Sequence, residues 1–362
     1  MQIIKAGYQL IDEPNITKKI ERIARICYKS EDKIGEGTDL KMVNDLIARQ
    51  HTAMLEHADV CLVVAHSDYY FIRKVMETMS TQCHDDSEPK NCYLRTTYHS
   101  SNEPFEGLVT YGQRYVVSGN IRAWHDYFEF AVSYGYGIQE KVFEAVNGAA
   151  NNIFDKFANG VGVSDGVSHF FKDTPSDVRL VTDYSKLSDA ERMVHETMSI
   201  LFTVDRGVTH ELVRHRDCSF AQESTRYCNY SLDHKYGREI TVIEPLFFVQ
   251  ANKLDNPTEV WSERYGAWRE GCEQGEKAYF RITDTKAPAQ QARDVLPTSV
   301  KAEIVMTTNL REWKHIFNLR ACDATGPAHP QMKEVMIPAF KEARTKYPFA
   351  YGNMYAADEV HE

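Results

Sequence analysis

Residues 205–231 read DRGVTHELVRHRDCSFAQESTRYCNYS, in which Arg206, Arg214, Arg216 and Arg226 share little more than one short segment with His210 and His215. Cations crowded this closely repel one another, so the segment needs either counter-charges of its own or an anion to bind. Both are available. Asp205, Glu211, Asp217 and Glu223 are interleaved with the arginines and permit a solvated, internally paired helix face. Arginine also presents a rigid fork of donors matched to phosphate oxygens. The order of residues favours the second reading. If the chain is extended near Gln222, Ser224 and Arg226, these alternate residues present an amide, a hydroxyl and a guanidinium to one side, which outlines a phosphate or pyrimidine site.

On the N-terminal side of this segment, Met198 begins a strand, MSILFTV, that leads into it. Farther back, Ile20, Ile23, Ala24 and Cys27 predict an amphipathic helix over 16–27, and Leu40 to Ile47 predicts another. Val60, Leu62, Val63 and Val64 then read as a buried strand, with His57 at its entrance. Residues 83–112 are rich in Asp, Ser, Asn, Pro and His and read as loop. Helical signal returns in NIRAWHDYFEFAV, IQEKVFEAV and NNIFDKF. Downstream, EITVIEPLFFV predicts one long strand or a strand pair, VWSERYGAWREGCEQGEKAYFRI a long helix, and Ala289–Val295 a short helix stopped by Pro297. A last helix is predicted from about Ser299 to Leu319, with Asn309, Trp313, Ile316, Phe317 and Arg320 on one face. SGNIRAWHDYF (118–128) echoes TTNLREWKHIF (307–317) at the Asn, Arg, Trp and Phe positions. Convergent helix packing with a similar cap accounts for two copies most simply; a duplicated element is the alternative.

With 43% hydrophobic and 26% charged residues, the chain has the composition of a globular protein with a sizeable core. A formal charge of −10 argues against general affinity for nucleic acid, so any anionic ligand must meet a local arginine cluster. No run of about 18 apolar residues is present and the N-terminus carries no signal-peptide pattern, so no membrane association and a cytoplasmic location are expected. The eight cysteines form no CxxC pair. Cys83, His84 and Cys92 lack a convincing fourth ligand, and no metal is expected.

Arg214-His215-Arg216, followed after seven residues by Ser224, resembles the RHR-x7-S signature of the flavin-dependent thymidylate synthases. The resemblance extends to Ser219, Gln222, Arg226 and Tyr227, to LEH ending at His57, to ARDVLP around Arg293, to NLREWKHIFNLR through Arg320 and to AHPQM around His329. It covers about 1–82 and 198–350. It implies an α+β fold, a mixed β-sheet flanked by helices, built from 1–82 and 198–362, with a mainly helical insertion over 83–197. Shorter members lack most of the insertion, while longer members with a stretch like Ser118–Trp124 exist. The insertion is expected to cover the active site or a subunit interface.

The activity implied is reductive methylation of dUMP to dTMP, with FAD as cofactor, NADPH and methylenetetrahydrofolate as co-substrates, and a homotetramer whose active sites lie between subunits. By resemblance, His57, Arg214, His215, Arg216, Asn309, Arg311, His315 and Leu319 bind FAD, His315 standing where the family often has Asn. Glu211, Arg214, Gln222, Ser224, Arg226, Arg293 and Arg320 bind dUMP, with Arg320 facing the pyrimidine. Glu211 replaces a glutamine common there. A carboxylate beside a phosphate repels it, so Glu211 either pairs with a neighbouring arginine or contacts the nucleotide differently. Arg320 and Ser224 are the catalytic candidates, Arg320 for charge developing on the uracil. Ser224 has no activating base beyond His215, which suits a phosphate or carbonyl donor better than a nucleophile. Cys218 and Cys228 lack the context of the classical synthases' nucleophile. No GxGxxG follows a predicted strand, so the nicotinamide is expected to visit the flavin site. A dUMP hydroxymethylase and a non-catalytic flavin or nucleotide binder are the alternatives.

Overall fold

The computed structural model describes residues 1–82, 94–99, 114–162, 177–248 and 259–359. Strands β1 (Gln2–Ile4) and β2 (Gly7–Ile11) lead to helix α1 (Ile16–Tyr28). The Asn15 side chain accepts the Lys18 amide and so caps α1, whose Ile20, Ile23 and Ala24 are fully covered. Helix α2 (Thr38–Ala48) and a 3-10 turn over Thr52–His57 follow, then β3 (Asp59–Ala65), whose run of valines suits a strand buried on both faces. Next come α3 (His66–Gln82), β4 (Arg95–His99), β5 (Arg114–Asn120), α4 (Ile121–Ser133), α5 (Glu140–Ala149), β6 (Val178–Leu180) and α6 (Asp189–His195).

The segment that carries the arginine cluster is β7 (Thr197–Asp205), α7 (Arg206–Leu212) and β8 (Ser219–Gln222). After α8 (Asp233–Tyr236) and β9 (Thr241–Ile243) come α9 (Glu259–Asp284), α10 (Ala289–Ala292), β10 (Lys301–Asn309), α11 (Leu310–Arg320), α12 (Pro330–Lys346) and α13 (Pro348–Tyr351).

The architecture is α+β, as expected. Two four-stranded sheets, in the orders β2-β7-β10-β8 and β4-β5-β3-β6, are antiparallel throughout, and parallel pairing joins β1 to β9. The described part of 83–197 carries α4, α5 and α6 and the strands β4, β5 and β6, which lie in the sheet of β3. That sheet and α1, α2, α4 and α5 enclose one apolar core around Trp124, Phe128 and Phe154. The other sheet packs one face on α11 and α12 around Trp313, Phe317 and Phe340, and the opposite face on α1 around Ile23, Ala221 and Val305.

Two expectations require correction. The helix predicted from Ser299 starts only at Leu310, because Ile304, Val305, Thr307 and Thr308 are β-branched and alternate between two buried faces in β10. The strand predicted in EITVIEPLFFV ends at Ile243, since Pro245 has no N–H to give a ladder, and residues 246–248 turn helical. The candidate metal cluster Cys83, His84 and Cys92 lies outside the described residues.

Candidate active site

The hinge of the site is the passage from β7 into α7. The Asp205 carboxylate caps α7 by accepting the Val208 amide at 2.8 Å and also receives the Gln331 side chain from α12. Helix α7 ends in a tight turn, with Arg214 N donating to Glu211 O and His215 N to Leu212 O. The Arg-His-Arg stretch therefore forms a loop over 213–218, not a helix face. Its far end is tied to β10, where the Thr308 hydroxyl donates to the Asp217 carbonyl at 2.7 Å.

Of the three residues, Arg214 and Arg216 point outward and His215 is buried. His215 Nε2 accepts a hydrogen bond from Arg320 Nε at 3.2 Å, and Glu211 holds the same guanidinium from Arg320 Nη1 at 3.3 Å. Burial, reinforced by Arg320 and His315, pushes the His215 imidazole down to about 4, which leaves it neutral near pH 7 and free to accept. Glu211 thus spends its charge on an arginine, one of the two outcomes open from sequence.

Helix α11 brings the remaining residues of this cluster. Arg311, His315 and Leu319 follow at one-turn spacing along it, and its last residue, Arg320, lies against the loop. Asn309 caps the helix, its Oδ1 accepting the Glu312 amide at 2.8 Å, so its amide nitrogen is the part left for a ligand. Glu211, His215 and Arg320 are thus bonded to one another, His315 acts on His215 from the same helix, Arg214 and Arg216 flank His215 on the loop, and Arg311 and Leu319 share the helix with Arg320.

Other expected residues lie apart from this cluster. His57 is fully covered on the opposite face, where its Nδ1 meets Thr307 Oγ1 at 2.7 Å, while the adjacent Glu56 accepts from Ser219 Oγ at 2.9 Å. Burial, with Lys19 nearby, drives the His57 pKa down to about 3. Within this chain the sheet stands between His57 and Arg320. Gln222 donates to Thr209 of α7 at 3.1 Å. Beyond it the chain does not remain extended: Ser224 O receives the Tyr227 and Cys228 amides in a helical turn, and Ser224 N binds Cys27 O. The Gln-Ser-Arg alternation therefore fails after Gln222. Arg226 is exposed, 5.6 Å from the Tyr227 ring, and Arg293 is exposed beside Asp294. No hydrogen bond or ion pair among the described residues joins Ser224, Arg226 or Arg293 to Arg320.

A buried carboxylate network has no counterpart among the sequence signals. Glu223 receives Lys301 at 2.8 Å and the Tyr230 hydroxyl at 3.4 Å, and the neighbouring Glu303 binds Lys29 and Lys301. It pins the turn carrying Ser224 and Arg226. Its members lie as far apart as Lys29 and Glu303, and no local spacing announces such a set. The thiols of Cys218 and Cys228 are buried and raised by desolvation, as packed groups are. Among the described residues, His125, Asp126 and Glu129 come close enough to share a cation, but the Lys156 ammonium lies 2.9 Å from His125 Nε2. No described helix is long and apolar enough to cross a membrane.

A family profile described as "Thymidylate synthase complementing protein" matches residues 172–349. A flavin-dependent thymidylate synthase of Corynebacterium efficiens is 30% identical over 158 residues, which are 41% of this chain and 58% of that protein. One from Pyrococcus abyssi is 35% identical over 118 residues, 33% of this chain and 43% of that protein. The chain thus spans about half the length of the curated relatives it matches. Among solved structures, the UMP/dUMP methylase PolB from Streptomyces cacaoi bound with 5-Br dUMP covers 97% of this chain and 96% of its own, with 14% identity and a TM-score of 0.39, too loose a likeness to carry an argument.

Proposed function

The chain belongs to the flavin-dependent thymidylate synthase family, and from that premise we propose that it methylates dUMP to dTMP reductively, with FAD, a reduced nicotinamide and methylenetetrahydrofolate. The observation that carries the reading is the cluster in which His215 and Glu211 together hold Arg320 at the mouth of an exposed arginine loop.

The residues fit an anionic flavin nucleotide. Arg214 and Arg216 are exposed and form no ion pair among the described residues, so their guanidiniums are available to phosphate oxygens without breaking existing bonds. Arg311 and His315 extend the same polar stripe along α11. Bound flavin would supply the hydride. The protein's part is positioning: neutral His215 fixes Arg320 through Nε and Glu211 fixes it through Nη1, while the other donors of the fork carry no hydrogen bond among the described residues. A permanent positive charge held in this way is suited to stabilising negative charge that develops on a pyrimidine ring.

Glu211 in this scheme is a positioning residue for Arg320, in place of a direct phosphate ligand. Ser224, Arg226 and Arg293 would bind the nucleotide phosphate from a second copy of the chain, since among the described residues none of them is bonded to Arg320 within its own. A site shared between subunits follows. The decisive experiment is the mass of the nucleotide product after incubation with dUMP, FAD, NADPH and methylenetetrahydrofolate at low oxygen. A gain of one methyl group in place of hydrogen is expected. A hydroxymethyl gain would instead make the protein a dUMP hydroxymethylase, and unchanged dUMP in the presence of bound flavin would reduce it to a binding protein.

A further inference from the structure

The echo between 118–128 and 307–317 continues far beyond the residues that match. Asn120 caps α4 by accepting the Ala123 amide at 2.8 Å, and Asn309 caps α11 by accepting the Glu312 amide at 2.8 Å. The Trp124 indole donates to Val60 O of β3 at 3.2 Å; the Trp313 indole donates to Met198 O of β7 at 2.8 Å. Ile121 N donates to Ala58 O and Leu310 N to Glu196 O, each just ahead of the partner strand. His57, two residues before β3, binds Thr307 of β10 at 2.7 Å. His195, two residues before β7, binds Ser118 of β5 at the same distance. Strand registers agree: Asp59 pairs with Asn120 and Thr197 with Asn309.

The two sheets also correspond strand for strand, β2-β7-β10-β8 matching β6-β3-β5-β4. In chain order, a first unit runs from β2 to α4 and a second from β6 to α11. Each unit gives its first strand to the other unit's sheet: β2 lies on β7, Ile11 opposite Ser199, and β6 lies on β3, Leu180 opposite Leu62. A cleft of about 740 Å³ sits where the exchange occurs, lined in pairs by Leu10 and Leu180, Ile11 and Val181, Asp59 and Thr197. Convergent helix packing does not account for shared caps, indole bonds, histidine bonds, registers and reciprocal strand exchange together.

We infer that the chain is an internal pair of related units in which only the second keeps a flavin and nucleotide site, so that two chains, holding two flavins, form the complete particle. This rests on the function proposed above. In the first unit, Ala131 stands at the position of Arg320, Asp126 at that of His315 and Phe130 at that of Leu319. The Thr308 hydroxyl that ties down the arginine loop has Gly119 as its counterpart, where even a Cβ would lie 2.4 Å from the Leu94 side chain. Between α3 and β4 the sequence reads CHDDSEPKNCYL, three carboxylates to one lysine. His195 is closed at both nitrogens, by Ser118 and by Thr97 at 2.9 Å. The internal pairing already supplies one of the contacts that four separate single-unit chains would have to make. Two chains then hold four units, and the second chain brings Ser224, Arg226 and Arg293 to the first chain's Arg320.

The test is saturation of the full-length protein with FAD, reading flavin absorbance against protein, with particle mass by light scattering on the same sample. One FAD per chain and a particle of two 41.6 kDa chains are expected. Arg311→Ala should weaken FAD binding about tenfold, whereas Arg122→Ala, at the matching place in the first unit, should leave it within about twofold. A second flavin per chain, an equal loss in both variants, or a four-chain particle overturns the inference. A two-chain particle that takes up no FAD instead overturns the proposed function, the mass alone then supporting the internal pair.

Discussion

The ends of α4 and α11 are built alike and equipped differently. Each helix begins at an asparagine cap, anchors itself by an indole on the neighbouring strand and packs beside a buried histidine. At its far end α11 offers Arg320, fixed by His215 and Glu211, while α4 offers Ala131 in a closed apolar core. The residues that make the unit fold are shared by both copies, and those that would meet an anion are confined to one. Scaffold and site are therefore separable, and substitutions should sort by which of the two they touch.

The largest effect is expected at Arg320. Arg320→Ala should lower kcat by roughly 10²- to 10³-fold, the range for loss of one preorganised donor at developing charge, with apo-protein stability little changed because the side chain is part-exposed. Steady-state kinetics at saturating dUMP decide it, and a wild-type rate would remove Arg320 from the chemistry. Glu211→Gln should retain much of the activity, since glutamine still accepts from the guanidinium.

Next in size is the pH dependence of stability, where the two units should behave alike. His57 and His195 are each lowered by burial to about 3, and His215 to about 4. In an unfolded chain these groups titrate near 6.5. As pH falls below that value the unfolded state takes up protons that the folded state refuses, so stability present above pH 6.5 is lost progressively towards pH 3. The loss should amount to several kcal/mol in total, since each tenfold difference in proton affinity between the two states is worth about 1.4 kcal/mol. Denaturant melts at pH 7 and 5 measure it. His57→Gln and His195→Gln should each flatten the dependence by a similar amount, and a response from only one would break the equivalence of the units.

The phosphate contacts come third. Arg226→Ala and Arg293→Ala should each weaken dUMP binding by roughly 1.5 to 3 kcal/mol, the usual cost of a charge-assisted hydrogen bond. Calorimetry with dUMP on the flavin-loaded protein reads this, and unchanged affinity in both variants would remove the nucleotide from that surface.

Local signals make much of this legible in the sequence. The apolar spacing of 16–27, the valines of 60–64 and the long pattern of 259–284 give helix, strand and helix, because side-chain periodicity alone decides them. Over 299–309 the helical spacing that holds from Asn309 to Arg320 does not extend backward, and β-branched residues with two faces to fill take the strand. The Gln222, Ser224 and Arg226 alternation is broken by a turn set through Cys27, some two hundred residues away. His57 stands at a strand entrance as its sequence context predicts, but its complete burial depends on a sheet face assembled from Ser199, Ser219 and Thr307. The echo at 118 and 307 is visible in the residues; the reciprocal strand exchange that gives it meaning is a property of pairing, which no single segment records.

The smallest expected effect is the sharpest on the scaffold side of the comparison. Trp124→Phe and Trp313→Phe keep most of the buried ring and delete one indole-to-carbonyl bond in matching places. Each leaves a strand carbonyl, of Val60 or Met198, without that donor, at a cost of about 1 to 3 kcal/mol for an unsatisfied buried acceptor. Because both indoles are fully buried and their acceptors sit one residue into β3 and β7, the two costs should agree within about 0.5 kcal/mol, near the margin for independent sites. Urea melts of the apo-protein test this without any ligand. A substantially larger loss at Trp313 would mean that the second unit's scaffold had been tuned together with its site, and that scaffold and chemistry are not as separable as the two helix ends imply.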